Sequence, residues 1–199
     1  MDKSEFPSHP LTGADKKPVS FKLEVWGNKK EPYDSEKPHR HDYHEVMFFI
    51  DGKGTHDIDF RSHETQGGTV HFVHSNNVHM LIREPVSNGI SLMFTPDLTD
   101  QSLISQLPFA KEEPILAPGK EKFGELLKLV KMIVDESNSA HDGMNSVIQS
   151  YFNALLWNCV RICRSAGEKN GTDLKLIHVA VGDHQQACKG MGCSSVSPD

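Results

Sequence analysis

The stretch Pro38-His39-Arg40-His41-Asp42-Tyr43-His44-Glu45-Val46-Met47-Phe48-Phe49-Ile50-Asp51-Gly52-Lys53-Gly54-Thr55 decides the fold. Its second half is a short apolar run, Glu45–Ile50, closed by Asp51-Gly52-Lys53-Gly54, a strand followed by a tight turn. Its first half sets His39 and His41 two residues apart, so that on a strand both rings leave the same face about 6.6 Å apart along the chain. Glu45 keeps that parity if no bulge intervenes, and the whole reads H-x-H-x3-E-x6-G, ending at Gly52. Imidazole and carboxylate groups at this spacing can converge on one divalent cation, with Gly52 or Gly54 turning the next strand back.

Outward from this stretch the same rhythm continues. Ser20–Trp26 alternates through Phe21, Leu23 and Val25, and Asn28–Glu36 reads as a loop. Downstream come Thr55–Phe60, Gly67-Gly68, Thr69–His74, Ser75-Asn76-Asn77, His79–Arg83, Ser87-Asn88-Gly89 and Ile90–Phe94. Short strands at that spacing predict an antiparallel sandwich or small barrel. After Pro96 the period changes. Leu98–Phe109 has helical character, Lys120–Glu136 carries a stripe of Phe123, Leu126, Leu127, Val130, Ile133 and Val134, and Met144–Cys163 repeats the pattern on a broader face. The expected organisation is a flexible arm at 1–19, a barrel at 20–96, a helical segment at 97–164 and a linker with a low-complexity tail at 165–199.

Composition narrows the function. The 199 residues carry 21 Lys and Arg against 27 Asp and Glu, a formal charge of −6 that argues against a basic nucleic-acid surface. The start lacks a secretory apolar region, and the longest apolar stretches fall far short of the ~20 residues of a membrane helix. A cytoplasmic protein without membrane contact is expected. The four cysteines, at 159, 163, 188 and 193, avoid the first half of the chain and are no disulfide framework. Cys159 and Cys163 read as core residues, and His184, Cys188 and Cys193 lack the fourth ligand of a structural zinc site.

Histidine is the outlier: of 12, eight (39, 41, 44, 56, 63, 71, 74 and 79) lie between residues 39 and 79. His79, which follows Gly68 after eleven residues, is a candidate fourth ligand beside His39, His41 and Glu45. His44 has the opposite parity, and His56, His63, His71 and His74 are scattered, so these five read as surface or internally hydrogen-bonded residues. Tyr43, Met47 and Phe49 share the parity of Glu45 and form a candidate apolar wall.

The run from His39 to Gly52 and the later Gly68…His79 segment resemble the two motifs of the cupin superfamily, whose second motif departs here because Ser75–Val78 stand in place of the usual Pro and Gly. The longer phrase Pro38–Thr55, with a helical pair after the barrel, resembles the N-terminal sensing and dimerisation domain of AraC-type transcription regulators over about residues 20–163. That resemblance implies a mainly β fold with C-terminal helices: a cupin-like antiparallel β-barrel (double-stranded β-helix) followed by two amphipathic α-helices. It also implies a small-molecule effector, such as a sugar, held by His39, His41, Tyr43, Glu45, Met47 and His79, a homodimer formed through the helices, and no enzymatic activity. DNA would be reached only through a C-terminal helix-turn-helix half. The residues after 165 carry no such pattern, which reads as a truncated or frame-shifted gene.

No resident cofactor is expected on this reading. The rival is a metal-dependent cupin enzyme, a dioxygenase or isomerase, with His39, His41, Glu45 and His79 as ligands to a divalent metal. The stripe Phe123–Val134 fits either a dimer interface or a face that covers the barrel. No Ser-His-Asp set, phosphate-cradling glycine loop or helical H-E-x-x-H favours hydrolase or nucleotide chemistry.

Overall fold

The computed structural model describes residues 3–27, 33–34, 37–110, 113–139 and 141–167. The expected tail beyond residue 167, with His184, Cys188 and Cys193, and most of the expected loop at 28–36 lie outside them.

The chain runs through β1 (Ser8–His9), β2 (Phe21–Trp26), β3 (Tyr33–Asp34), β4 (Arg40–His41), β5 (His44–Asp51), β6 (Lys53–Ile58), β7 (Arg61–Gln66), β8 (Thr69–Val73), β9 (His79–Arg83), β10 (Asn88–Phe94), α1 (Gln101–Ile104), β11 (Ile115–Leu116), α2 (Lys120–Ser137) and α3 (Met144–Gly167). Two antiparallel sheets result, β11-β8-β5-β10-β2 and β3-β9-β6-β7. Among the described residues no ladder closes them into one hydrogen-bonded barrel. They face each other, joined by the β5–β6 corner, and an isolated bridge pairs His79 of β9 with His39, just before β4.

Gly52 makes that corner. Its φ is +95°, and a Cβ there would lie 2.2 Å from Ser87 Oγ and 2.4 Å from Ser87 Cα. Both the left-handed backbone and the contact forbid a side chain. Gly52→Ala is expected to cost about 2–4 kcal/mol, measured as a lower urea midpoint at unchanged m-value.

The inner strands β5 and β8 of the five-stranded sheet are buried on both faces, which is why β5 reads as an almost continuous apolar run. Val46, Phe48, Val70, Phe72, Leu92 and Phe94 point to one side and join Phe123, Leu126, Val130 and Ile133 of α2 and Phe152, Leu155, Leu156, Cys159 and Val160 of α3 in the main core. The stripe on α2 therefore covers the sheet. Met47, Phe49 and Val73 point the other way, toward Ile58 and Leu81 of the second sheet, forming a smaller core.

Three local expectations need correction. The strand expected at Thr55–Phe60 ends at Ile58, because Asp59 and Phe60 have φ of 47° and 66° and turn the chain into β7. Two left-handed residues make a tight hairpin, but Asp-Phe lacks the glycine that announces one. β7 itself, Arg-Ser-His-Glu-Thr-Gln, is a polar edge strand with only Thr65 buried, so it has no apolar alternation to read. The helix expected over Leu98–Phe109 shrinks to α1, which stops at Ile104, and a 3-10 turn that opens at Pro108 and runs to Ala110. β11 then returns to pair with β8, while α3 continues through Gly167, past the expected end at Cys163.

The segment read as an arm runs beside the first histidines. β1 pairs in parallel with β4, Arg40 N–H donates to the Pro7 carbonyl at 2.9 Å, and Leu11 is buried. Scattered side-chain contacts, Lys3 to Asp59, Phe6 to Phe60 and His9 to His39, add to these bonds, a pattern that leaves no hydrophobic period in the sequence.

Candidate functional site

Between the two sheets lies a cavity of about 390 Å³. β5 contributes Glu45 and Met47, β9 contributes His79, Leu81 and Arg83, β10 contributes Ser91 and Met93, and β2 closes one side with Trp26. These residues alternate along their strands with the core residues named above, so the period of two that buries Val46, Phe48, Leu92 and Phe94 aims Glu45, Met47, Ser91 and Met93 into the cavity. His39 and Tyr43 line it as well. His41 is fully buried just behind the wall. Phe49, expected with that wall, packs behind it in the smaller core.

His41, Glu45 and His79 converge, with one candidate ligand atom from each lying within 4.8 Å of the others. The bend at Asp42 and Tyr43 interrupts the strand, yet Glu45 Oε2 still comes to 3.6 Å from His41 Nε2. His39, expected in the same set, stays outside that group. Its ring stands 4.4 Å from that of His79 and 6.4 Å from that of His41, and its Nδ1 lies 3.2 Å from the Lys37 carbonyl. The structure thus brings together three of the four expected metal ligands.

Both converging imidazoles are held by Nδ1. That of His41 lies 2.6 Å from the Tyr43 carbonyl, to which it can only donate. That of His79 lies 3.1 Å from His56 Nε2. Their Nε2 atoms are buried and have no hydrogen-bond partner among the described residues. Two such nitrogens beside a carboxylate, each imidazole oriented through its other nitrogen, fit a divalent cation, and they fit equally a ligand that donates hydrogen bonds.

His56 and His71 extend the group inward. His56 Nδ1 lies 3.1 Å from His71 Nδ1, and His71 Nε2 lies 3.3 Å from Thr69 Oγ1. Burial, reinforced by neighbouring histidines, holds His56 and His79 well below the ordinary imidazole pKa, and burial pushes His71 down to about 3. Sequence reasoning classed His56 and His71 with the scattered histidines. The signal for His56 was its place two residues before Ile58 on β6, whose burial alternates. His71 was masked because β8 is buried on both faces. His44 follows its opposite parity into the main core, where it meets Phe94 and Phe109. Its Nδ1 accepts from Ser75 N–H at 3.1 Å, and burial lowers its pKa to about 4.

Arg83, Trp26 and Ser91 line the far end of the cavity, with Glu24 beside them. Arg83 is buried with its guanidinium carbon 3.8 Å from the Trp26 ring centroid, a stacking geometry that holds both groups. Trp26 Nε1 donates to Ser91 Oγ at 3.1 Å. The indole can lie there because its strand partner is Gly89, where a Cβ would come 2.3 Å from the ring. Four residues separate His79 from Arg83 on one strand face, so the two polar ends are about 13 Å apart. Leu81, Met47 and Met93 lie between them. A larger groove of about 820 Å³ lies on the helix-covered side, against Phe21, Leu23, Ile148 and Phe152, away from the histidines.

Comparison with known proteins matches residues 28–150 to the family described as AraC-like ligand binding domain. Among solved structures, the AraC-like transcriptional activator CuxR is similar, with 14% identity, a TM-score of 0.51, and coverage of 71% of this chain and 52% of that one. An apo form of ToxT from Vibrio cholerae has 10% identity, a TM-score of 0.44, and coverage of 76% and 57%. A cupin protein from Bacteroides fragilis has 15% identity, a TM-score of 0.35, and coverage of 41% and 71%. This chain spans about half the length of the two regulators. No curated protein matches it.

Proposed function

This chain belongs to the AraC-like ligand-binding domain family, and from that membership we propose that its intersheet cavity takes up a small-molecule effector, a sugar or a polar molecule of similar size. The observation that carries the reading is the lining: an apolar belt of Met47, Leu81 and Met93 between an imidazole–carboxylate end and a guanidinium end. A cavity near 390 Å³ lies at the small end of the range for ligand sites. His39, His41, Tyr43, Glu45, Met47 and His79 are the contacts we assign, with Trp26, Arg83 and Ser91 added by their places in the wall.

Two routes lead outward. β10 presents Ser91 and Met93 to the cavity and Leu92 and Phe94 to the helices, and Phe94 meets Phe152 of α3 at 4.8 Å. β4, which ends at His41, pairs with β1 of the N-terminal segment. An effector that binds one arrangement of these elements better than another shifts their balance by the ratio of its two affinities. The helices would pass the change to a second copy of the chain, a reading supported by Trp157 and Met132, which stay 42% and 40% exposed on α3 and α2. Operator contact is assigned to a helix-turn-helix half outside residues 20–163. Among the described residues no helix is long and apolar enough to cross a membrane.

The test is titration of candidate effectors into wild type, His41→Ala and Glu45→Ala by calorimetry. Removing a hydrogen-bonding partner of a buried ligand group is expected to weaken binding about tenfold or more. Variants that bind as tightly as wild type would overturn the pocket assignment. The dimer reading has its own check: Trp157→Glu is expected to lower the association state seen by sedimentation, and a wild type that stays monomeric at micromolar concentration contradicts it.

The cluster of His41, Glu45 and His79 also favours a second reading, a metal-dependent cupin enzyme. Those three residues would hold the cation, and the metal would supply Lewis-acid polarisation of a bound oxygen. One metal per chain in protein purified without added metal supports it. Trace metal that does not rise on reconstitution removes it.

A further inference from the structure

His79, His56, His71 and Thr69 form one line of contacts, from the cavity into the body of the fold, and the direction of its hydrogen bonds can be worked out. Thr69 Oγ1 lies 2.7 Å from the Gln66 carbonyl, which can only accept, so the hydroxyl proton is committed there. The oxygen is left as an acceptor toward His71 Nε2 at 3.3 Å. His71 therefore carries its proton on Nε2 and presents a bare Nδ1. That nitrogen accepts from His56 Nδ1 at 3.1 Å. His56 Nε2 is then bare and accepts from His79 Nδ1 at 3.1 Å. Each neutral ring has one proton, so His79 Nε2 has none.

The reverse order leaves a worse account. It would place a proton on His79 Nε2, a buried atom without a hydrogen-bond partner, and would exchange the short Thr69–Gln66 bond for the longer contact with His71. A buried donor left without an acceptor is costly.

We propose that His56, backed by His71 and Thr69, is a positioning residue that fixes the tautomer of His79 and so makes the His41–Glu45–His79 end of the cavity acceptor-only. His41 reaches the same state independently, through the Tyr43 carbonyl, and at 3.6 Å its Nε2 is too far from Glu45 for a hydrogen bond. The group of a ligand that enters this end must then bring protons or positive charge: a hydroxyl, an ammonium or a divalent cation. A carboxylate or phosphate is turned away from this end. This rests on the effector-pocket reading for its consequence, but the tautomers themselves are properties of the chain without ligand.

The experiment is long-range ¹H–¹⁵N correlation on the histidine rings of the full ¹⁵N-labelled chain near pH 7.5, without ligand. The expected spectrum has a bare Nε2 for His79 and His41 and a bare Nδ1 for His71. His56→Leu removes the acceptor, and His79 is expected to shift toward the Nε2–H form while His41 stays as it was. His56→Gln, whose side-chain oxygen can accept from His79 Nδ1, is expected to restore the wild-type pattern. Should His56→Leu fail to fold, Thr69→Val carries the same test from the other end, with loss of the single ordered tautomer at His71 and His79 expected. An Nε2–H signal from His79 in wild type overturns the proposal, as does a His79 tautomer unmoved in folded His56→Leu or Thr69→Val. Failure of the effector reading would appear separately, as tight binding by His41→Ala and Glu45→Ala with the tautomers still as assigned.

Discussion

Lowering the pH from 7.5 to 5.0 is expected to strip about 4 kcal/mol from the stability of the fold through two histidines alone. His44 and His71 titrate near 6.5 in the unfolded chain and are held at about 4 and about 3 by burial in the folded one. The folded pKa is the lower of the two, so as pH falls below 6.5 the unfolded state takes up protons that the native state refuses. At pH 5.0 each group then favours unfolding by about 2 kcal/mol. The loss continues to about pH 4 for His44 and about pH 3 for His71, and no further below those values. His56 and His79 are pushed the same way by burial and add to it. Set against a usual stability of roughly 5–15 kcal/mol, this should bring acid unfolding into a mildly acidic range. Urea melts at the two pH values check it. His44→Gln, which keeps an acceptor for Ser75 N–H, is expected to remove about half of the two-histidine loss, and a urea midpoint equal at both pH values would contradict the burial of both rings.

The second large effect is expected from Phe152→Ala. This α3 side chain is fully buried, with its ring 4.8 Å from Phe94 on β10 and 5.4 Å from Phe21 on β2. Truncation removes the ring that joins the helical layer to the two strands at that edge of the sheet. A loss of about 3–5 kcal/mol follows for a cavity of this kind. The cavity between the sheets lies on the other face of β10, so the variant should retain effector affinity where it remains folded while losing the response of the helices. Denaturation gives the first quantity, and comparison of calorimetric binding with the association state gives the second. Full coupling in a folded Phe152→Ala protein would mean that the Phe94–Phe152 contact is not the path.

What the sequence made legible follows from how each element buries itself. The run Glu45–Ile50 and the stripe on α2 were readable because an apolar period has a fixed meaning for a strand or helix against a core. The parity argument likewise placed His44 on the opposite face from Glu45 and Met47, and β5 sets His44 against Phe94 and Phe109 while Glu45 and Met47 line the cavity. β7 was not readable, since an edge strand in water needs no apolar alternation and its turn used Asp59-Phe60 in place of glycine. His39 differs for another reason. Spacing gave it the same face as His41, but the side chains of β9 decide which ring can approach Glu45, and that is a property of strand pairing. The three-histidine line depends on β6, β8 and β9 meeting in space, a juxtaposition of residues 56, 71 and 79 that spacing along one strand cannot encode.

The most direct measurement of the central claim uses Trp26 as a reporter. The chain has two tryptophans, and replacing the exposed one, Trp157→Phe, leaves the indole in the cavity wall as the single tryptophan, excited selectively beyond the tyrosine band. Monosaccharides, hydroxy acids and amino acids are titrated while the thermal midpoint and the Trp26 emission are followed together. The expected result is a compound that raises the midpoint and changes Trp26 emission with the same saturation curve, both effects being lost in Glu45→Ala. A compound that binds and stabilises the chain while Trp26 emission stays fixed would place the effector outside the intersheet cavity and contradict the account.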